Sequence, residues 1–113
     1  MPRVEFPPDF LARMQHLLGA EYPAFLASLQ EPPVTGLRVN TIKLSPEAWR
    51  SLSPYPVSPV PWCSSGFTVD PSPDQADLSS SPGKHPFHAA GLYYLQDPSA
   101  MAAAELLNPQ PGE

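Results

Sequence analysis

Proline is the feature that most restricts the fold of this chain, because it accounts for 18 of the 113 residues, roughly three times its average share. A proline ring fixes φ and removes a backbone donor, so it interrupts helices and interior strands. Hydrophobic residues still make up 42% of the chain and charged residues 15%, which is too apolar for a disordered acidic segment. The sequence therefore predicts one small domain, or a domain plus a connector, built from short elements.

Charge and cysteine content exclude several classes of protein. Six basic residues oppose eleven acidic ones, for a formal charge of −5, which argues against unaided nucleic-acid binding through a broad basic surface. The single cysteine, Cys63, excludes an internal disulfide framework and a cysteine-only zinc site. No apolar run approaches the roughly 18 residues of a membrane helix, and no signal-type stretch follows the N-terminus. We therefore expect a soluble, cytoplasmic protein that contacts no membrane. We also expect it to be a monomer.

The first part of the chain predicts two short helices. Pro7-Pro8-Asp9 is typical of a helix start, and Gly19 is placed to end that helix. The second helix opens at Pro23 and is closed by Pro32-Pro33. The apolar residues at helical spacing are Phe10, Met14, Leu17 and Leu18 in the first helix, and Tyr22, Phe25, Leu26 and Leu29 in the second. Because neither helix can bury its stripe alone, we expect both to pack on elements further along the chain.

A strand and a third helix are predicted next. Leu37 and Val39 alternate with Arg38 and Asn40, as in a strand with one buried face, although Ile42 breaks the alternation or marks the strand's end. Ser45-Pro46-Glu47 is typical of a capped helix start. Trp49 and Leu52 would supply that helix's inward contacts, and the prolines from 53 to 61 predict an extended polyproline segment with few hydrogen bonds.

The remaining pattern completes an α+β fold. Gly66–Val69 and Gly91–Gln96 are predicted strands, residues 70–84 a low-complexity surface loop, and Asp97-Pro98 the start of a helix that runs to Leu107. We therefore predict N-terminal helices packed on a small, mostly antiparallel sheet, followed by a strand–helix connector.

Few residues carry a chemical signal. Arg38, Asn40 and Lys43 could bind phosphates or base edges, but a solvated or salt-bridged strand face fits the same pattern. Tyr93 and Tyr94 should point to opposite faces of their strand, so that one is core and the other could stack on a base or pack on a helix.

Other candidates are weaker. Cys63 has no sequence neighbour that would activate it and is expected to be a half-buried structural thiol. Zinc binding by Cys63, His85 and His88 is less supported than plain loop histidines. Pro56-x-x-Pro59 could bind an aromatic-lined groove as an adaptor motif, or simply stiffen a connection. No glycine-rich nucleotide loop is present.

Several segments together resemble one protein family. They are Pro8–Met14, Glu21–Leu26, Gly36–Thr41, Val60–Cys63 and His88–Met101. In this order and spacing they are similar to the N-terminal part of bacterial Sun-family (Nol/Nop/Sun type) RNA cytosine-C5 methyltransferases of the ribosomal-RNA type. The combination of Leu-Arg-Val-Asn with Tyr-Tyr-Leu-Gln-Asp-Pro-Ser carries most of the resemblance, which is weakest from Ser72 to Ser81.

The resemblance implies a function that this segment serves in part. Residues 1–88 would form an RNA-facing accessory domain, and 89–113 would begin a Rossmann-like methyltransferase domain that uses S-adenosylmethionine. Gln96, Asp97, Pro98 and Ser99 would border the cofactor and target-base pocket. Arg38 and Asn40 match the family's Leu-Arg-x-Asn strand and would face RNA, either rRNA or tRNA, with 16S rRNA favoured; from the residue pattern we add Lys43 to this RNA-facing set. The family's cofactor loop and both catalytic cysteines match no residue here, so we expect the 113 residues alone to be inactive and to bind the cofactor weakly. The alternative is a non-catalytic RNA-binding or ribosome-associated module.

Overall fold

The computed structural model describes residues 5–70 and 81–113. The chain divides into two compact units, Met1–Pro33 and Val34–Glu113. Each unit has its own architecture, and the second contains the sheet.

The first unit consists of two helices, α1 (Pro8–Leu18) and α2 (Tyr22–Ser28), joined by a 3-10 turn. Gly19 ends α1 with a positive φ of 54°, a conformation that favours glycine. The Phe10 ring lies 6.4 Å from the Phe25 ring, measured between centroids. Both predicted helices are therefore present. No residue of either helix is buried within the described part of the chain, and their packing on later elements stays a prediction.

The second unit is built on a four-stranded antiparallel sheet. Its strands are β1 (Thr35–Val39), β2 (Val57–Val60), β3 (Cys63–Val69) and β4 (Tyr93–Leu95), in the order β2-β3-β1-β4. Its helices are α3 (Pro46–Leu52), α4 (Pro86–Ala89) and α5 (Pro98–Leu107). The predicted α+β class with an antiparallel sheet is confirmed. The predicted domain division at residues 88 and 89 stays a prediction, and β4 pairs directly with β1.

One face of the sheet carries the main core. The buried cluster consists of Leu37, Val39, Trp49, Phe67 and Tyr93. Ser45 Oγ accepts a hydrogen bond from Ala48 N at 3.1 Å and caps α3 as predicted. On this helix, the Trp49 ring lies 4.9 Å from the Tyr93 ring, measured between centroids. The expectation that Leu52 also points inward is wrong, because α3 ends at that residue and leaves its side chain 50% exposed.

The proline-rich segment forms a strand. Residues of β2 pair with β3 from Val57↔Val69 to Val60↔Cys63, with an irregular register at Pro59/Val60. The predicted hydrogen-bond-poor polyproline conformation is therefore wrong for this part. An edge strand tolerates Pro59 because only one of its sides joins the ladder, and β2 lies at the edge of the sheet.

The other face of the sheet receives α5 at a glycine. Met101 is fully buried and clusters with Val60 and Cys63. A Cβ atom built on Gly66 would lie 2.5 Å from Met101 Sδ. A methionine with no exposed surface cannot move away freely. The approach of α5 to β3 therefore requires that residue 66 has no side chain.

Several element boundaries differ from the prediction. The first strand ends at Val39, and Ile42 beyond it is 95% exposed. The strand expected from Gly66 begins at Cys63, and helix α4 had not been predicted. Of the predicted loop, residues 71–80 lie outside the described residues, and Pro82–Lys84 forms a 3-10 turn.

Replacing Gly36 by alanine should destabilise the second unit. The added Cβ would overlap the Gln96 carbonyl oxygen and lie 2.7 Å from Pro98 Cδ, and such overpacking costs about 1–3 kcal/mol. Urea unfolding measures this loss. The neighbouring, exposed Thr35→Ala is the matched control and should change the free energy of unfolding by no more than about 0.5 kcal/mol. Equal stability of Gly36→Ala and wild type would contradict the close approach.

Tyr93 should make the folded state sensitive to alkaline pH. Burial, with a smaller contribution from Tyr55, raises the pKa of Tyr93 from 10.0 to about 12, and its hydroxyl donates to the Pro82 carbonyl at 2.6 Å. The folded state therefore holds this proton more tightly than the unfolded state does. The resulting stabilisation is complete below pH 10 and is lost as the pH rises towards 12.

Tyr93→Phe should lower the free energy of unfolding at neutral pH, because it removes that hydrogen bond. It should also flatten the decline in the alkaline range, measured by urea unfolding across that interval. The exposed Tyr94→Phe should keep the wild-type decline. A wild-type slope in Tyr93→Phe would show that another group is responsible.

Candidate functional site

The second unit has an open depression of about 500 Å³ over β1 and β4. Its described lining residues are Arg38, Val39, Asn40, Gly91, Tyr93, Tyr94 and Gln96. Arg38 and Asn40 come from the predicted RNA-facing set, and Gln96 comes from the predicted cofactor border. The fold therefore brings members of two separately predicted groups to one place.

Strand pairing explains this arrangement. Leu37 and Val39 enter the core, so the alternation of β1 turns Arg38 towards the opposite face. Arg38 is the register partner of Tyr94 on β4. Tyr94 is 70% exposed, whereas Tyr93 is 3% exposed. The prediction that the two tyrosines point to opposite faces is confirmed.

Arg38 has two partners on this face. Its Nε donates to Ser65 Oγ at 3.3 Å, and its Nη2 lies 3.4 Å from Glu105 Oε1 on α5. Both charged side chains are partly exposed, at 33% for Arg38 and 40% for Glu105. Such a pair contributes about 0–1 kcal/mol to stability. A salt-bridged strand face is therefore present, but the guanidinium remains accessible and has further donors.

Asn40 and Lys43 bind the turn that precedes β4. The Asn40 amide donates to the Gly91 carbonyl at 3.0 Å, and its Oδ1 accepts from Ile42 N at 3.2 Å. Lys43 Nζ donates to the Ala90 carbonyl at 2.5 Å. These contacts fix the rim of the depression beside Arg38 and Tyr94. Asn40 and Lys43 therefore help to position this rim in addition to lying near it.

The four residues predicted to border a cofactor form the turn from β4 into α5 and the first two residues of that helix. Gln96 N donates to the Gly36 carbonyl at 3.1 Å, which ties the turn to β1. Asp97 is the N-cap residue of α5, but its side chain makes no capping hydrogen bond within the described part of the chain. The Pro98 carbonyl accepts from Trp62 Nε1 at 2.7 Å, and Ser99 is exposed. Of the four, Gln96 lines the depression.

Three contacts of this region had no sequence signal that we recognised. Glu105 lies 67 residues after Arg38 along the chain, and local spacing cannot reveal such a pairing. Ser65 and Trp62 also reach the site through tertiary packing. An alternating pattern extended back to Cys63 could have placed Ser65 on a strand, but it could not have identified its partner.

The remaining candidates have structural surroundings. Cys63 is 1% exposed and lies 3.5 Å from Ser65 Oγ, so it is more deeply buried than expected. His85 Nδ1 accepts from Phe87 N at 3.1 Å and caps α4. In residues 5–70 and 81–113, no three His, Cys, Asp or Glu side chains are grouped as a metal site would require. None of the described helices is long and apolar enough to span a bilayer.

Curated relatives share most of the chain. "Ribosomal RNA small subunit methyltransferase F" of Erwinia tasmaniensis is 41% identical over 110 residues, which cover 93% of this chain and 22% of that protein. The Enterobacter sp. protein of the same name is 40% identical over 87% of the chain and 21% of its own length. The Klebsiella pneumoniae protein is 38% identical over 96% and 24%. The chain thus spans less than a quarter of these relatives.

A solved structure has a similar fold. The methyltransferase homolog protein from Pyrococcus horikoshii superposes with a TM-score of 0.69 at 27% sequence identity, covering 96% of this chain and 34% of that one. The sequence profile described as the N-terminal domain of 16S rRNA methyltransferase RsmF matches residues 6–98. The resemblance to a Sun-family rRNA methyltransferase is therefore confirmed, and the chain belongs to the family of RsmF N-terminal domains.

Proposed function

We propose that this chain is the N-terminal segment of an S-adenosylmethionine-dependent methyltransferase that modifies C5 of a cytosine in 16S rRNA. Its role there is to position the RNA and to form one wall of the cofactor and target-base pocket. The depression over β1 and β4 carries this proposal, because Arg38 and Asn40 meet Gln96 in it. Family membership supplies the reaction class.

The polar groups of the depression suit RNA. Arg38 offers a partly exposed guanidinium, which matches a phosphate. Gln96 adds a carboxamide, which can bind a base edge, and Asn40 keeps one amide N–H and one lone pair beyond its bonds to Gly91 and Ile42. None of the described lining residues is a carboxylate. An acidic chain can therefore present a locally favourable surface to a polyanion.

The turn from β4 into α5 fits the border of a cofactor site rather than a complete one. Asp97 and Ser99 are exposed at the start of α5, and the Asp97 carboxylate is not occupied by helix capping in the described part of the chain. S-adenosylmethionine supplies the methyl group when bound. The turn's part is to hold polar atoms in place through the Gln96–Gly36 and Trp62–Pro98 hydrogen bonds.

The chain's own residues position substrates and do not attack them. Cys63 is buried beneath α5 with Met101 and is not proposed as a nucleophile. We place the RNA-facing accessory domain at residues 1–88 and the beginning of the methyltransferase domain at 89–113. In this view β4 and α5 join the two domains.

A protein of the relatives' length that contains this segment is called the longer protein below. The cofactor part of the proposal predicts that the 113-residue chain and the longer protein differ in S-adenosylmethionine binding and in methylation. Calorimetric titration of the 113-residue chain with S-adenosylmethionine should give no micromolar binding, whereas the longer protein should bind and should methylate 16S rRNA at a cytosine, read by bisulfite sequencing. A non-catalytic RNA-binding module would bind RNA and leave the bisulfite pattern unchanged, and that result would refute the proposal.

Substitutions in the turn should separate the two substrates. In the longer protein, Asp97→Asn should raise KM for S-adenosylmethionine about tenfold, the equivalent of roughly 1.4 kcal/mol, and leave KM for RNA unchanged. Glu47→Gln, on α3 against the other face of the sheet, is the matched control and should change neither constant. Equal effects of Asp97→Asn on both substrates would contradict a cofactor border at this turn.

A further inference from the structure

We propose that Tyr94 and Arg38 form a binding site for one unpaired RNA nucleotide, whose base stacks on the Tyr94 ring and whose phosphate binds the Arg38 guanidinium. Glu105 occupies that guanidinium until the phosphate replaces it. This inference rests on the proposed function, because it specifies which element of the RNA the depression receives.

Tyr94 has the properties of a stacking platform. Its side chain is 70% exposed although it lies in the middle of a strand. Its neighbour Tyr93 packs 4.9 Å from Trp49, whereas Tyr94 belongs to no aromatic pair in the described part of the chain. An exposed aromatic ring on a sheet face is the usual platform for an unpaired base, and each such stack contributes about 1–3 kcal/mol.

The position of Arg38 suits the phosphate of the same nucleotide. Arg38 and Tyr94 are direct register partners on β1 and β4, and cross-strand partners on one face lie about 5 Å apart at Cβ. A nucleotide carries a planar base and a phosphate on a single sugar. A ring and a guanidinium side by side can therefore contact both parts of one nucleotide, and a fully paired duplex hides the base that the ring requires.

Glu105 acts as an internal substitute for the phosphate. Its Oε1 lies 3.4 Å from Arg38 Nη2, and both side chains are partly exposed, so replacing the carboxylate costs little. The hydrogen bond from Arg38 Nε to Ser65 Oγ at 3.3 Å is separate from this pair. It can hold the guanidinium in place while Nη2 exchanges Glu105 for phosphate.

Fluorescence anisotropy tests the site with the 113-residue chain and a labelled single-stranded RNA of about ten nucleotides. The wild type should bind this strand more tightly than the same strand paired with its complement. Tyr94→Ala should weaken binding about tenfold, and Tyr94→Trp should stay within about threefold of wild type because it keeps a stacking surface. Leu52→Ala, on α3 against the opposite face, is the control and should bind as wild type does.

Glu105→Gln distinguishes competition from a structural contact. If Glu105 competes with phosphate, this variant should bind the strand about threefold more tightly and show a steeper dependence on salt between about 50 and 200 mM. Weaker binding would show that the pair merely holds the site together and would overturn the competition. Circular dichroism checks folding, and Tyr94→Thr, which favours strands, replaces Tyr94→Ala if the latter unfolds.

Three results would overturn the nucleotide site. They are wild-type binding by Tyr94→Ala, preference for the duplex, and absence of RNA binding by the wild-type chain. Methylation by the longer protein is measured separately. If the Tyr94 variants bind RNA as the wild type does but the longer protein still methylates 16S rRNA, the proposed function stands without the nucleotide site. If RNA binding depends on Tyr94 but the longer protein does not methylate 16S rRNA, the proposed function alone is contradicted.

Discussion

Close backbone approach on one face of the sheet is the constraint on which the second unit depends. Gly36 lets the Gln96–Pro98 turn lie against β1, and Gly66 lets Met101 of α5 lie against β3. Both approaches are possible because these positions have no Cβ atom. Together they hold α5 over β3 and leave the space over β1 and β4 open. The depression lies on the part of the sheet over β1 and β4.

This arrangement explains why predicted residues from distant parts of the sequence meet. The antiparallel pairing of β1 with β4 sets Arg38 opposite Tyr94, and the same pairing places Gln96 next to Gly36. A shift of one residue in register would turn Arg38 into the core. Burial of Leu37 and Val39 on the opposite face therefore specifies which side chains the proposed RNA-binding face presents as well as which ones form the core.

Local patterns predicted much of this fold. Helix starts with proline and a capping group, as at Ser45-Pro46, were identified, and so was the alternation that separates Leu37 from Arg38. The prediction failed where tertiary context overrides local preference. Pro59 disfavours a strand locally, yet an edge position accommodates it, and the contact between Arg38 and Glu105 joins residues too distant for any spacing rule. The positioning roles of Asn40 and Lys43 were also hidden, because their partners are backbone carbonyls of a later turn.

The proposed function and the nucleotide site both require that the face formed by β1 and β4 contacts RNA. Photocross-linking of the longer protein to 16S rRNA that carries 4-thiouridine, followed by mass spectrometry, tests this most directly. We expect a cross-link within residues 85–113 at Tyr94, and this cross-link should be lost in competition with unlabelled single-stranded RNA. Cross-links confined to other segments, with Tyr94 unmodified under conditions in which the protein binds its RNA, would contradict it.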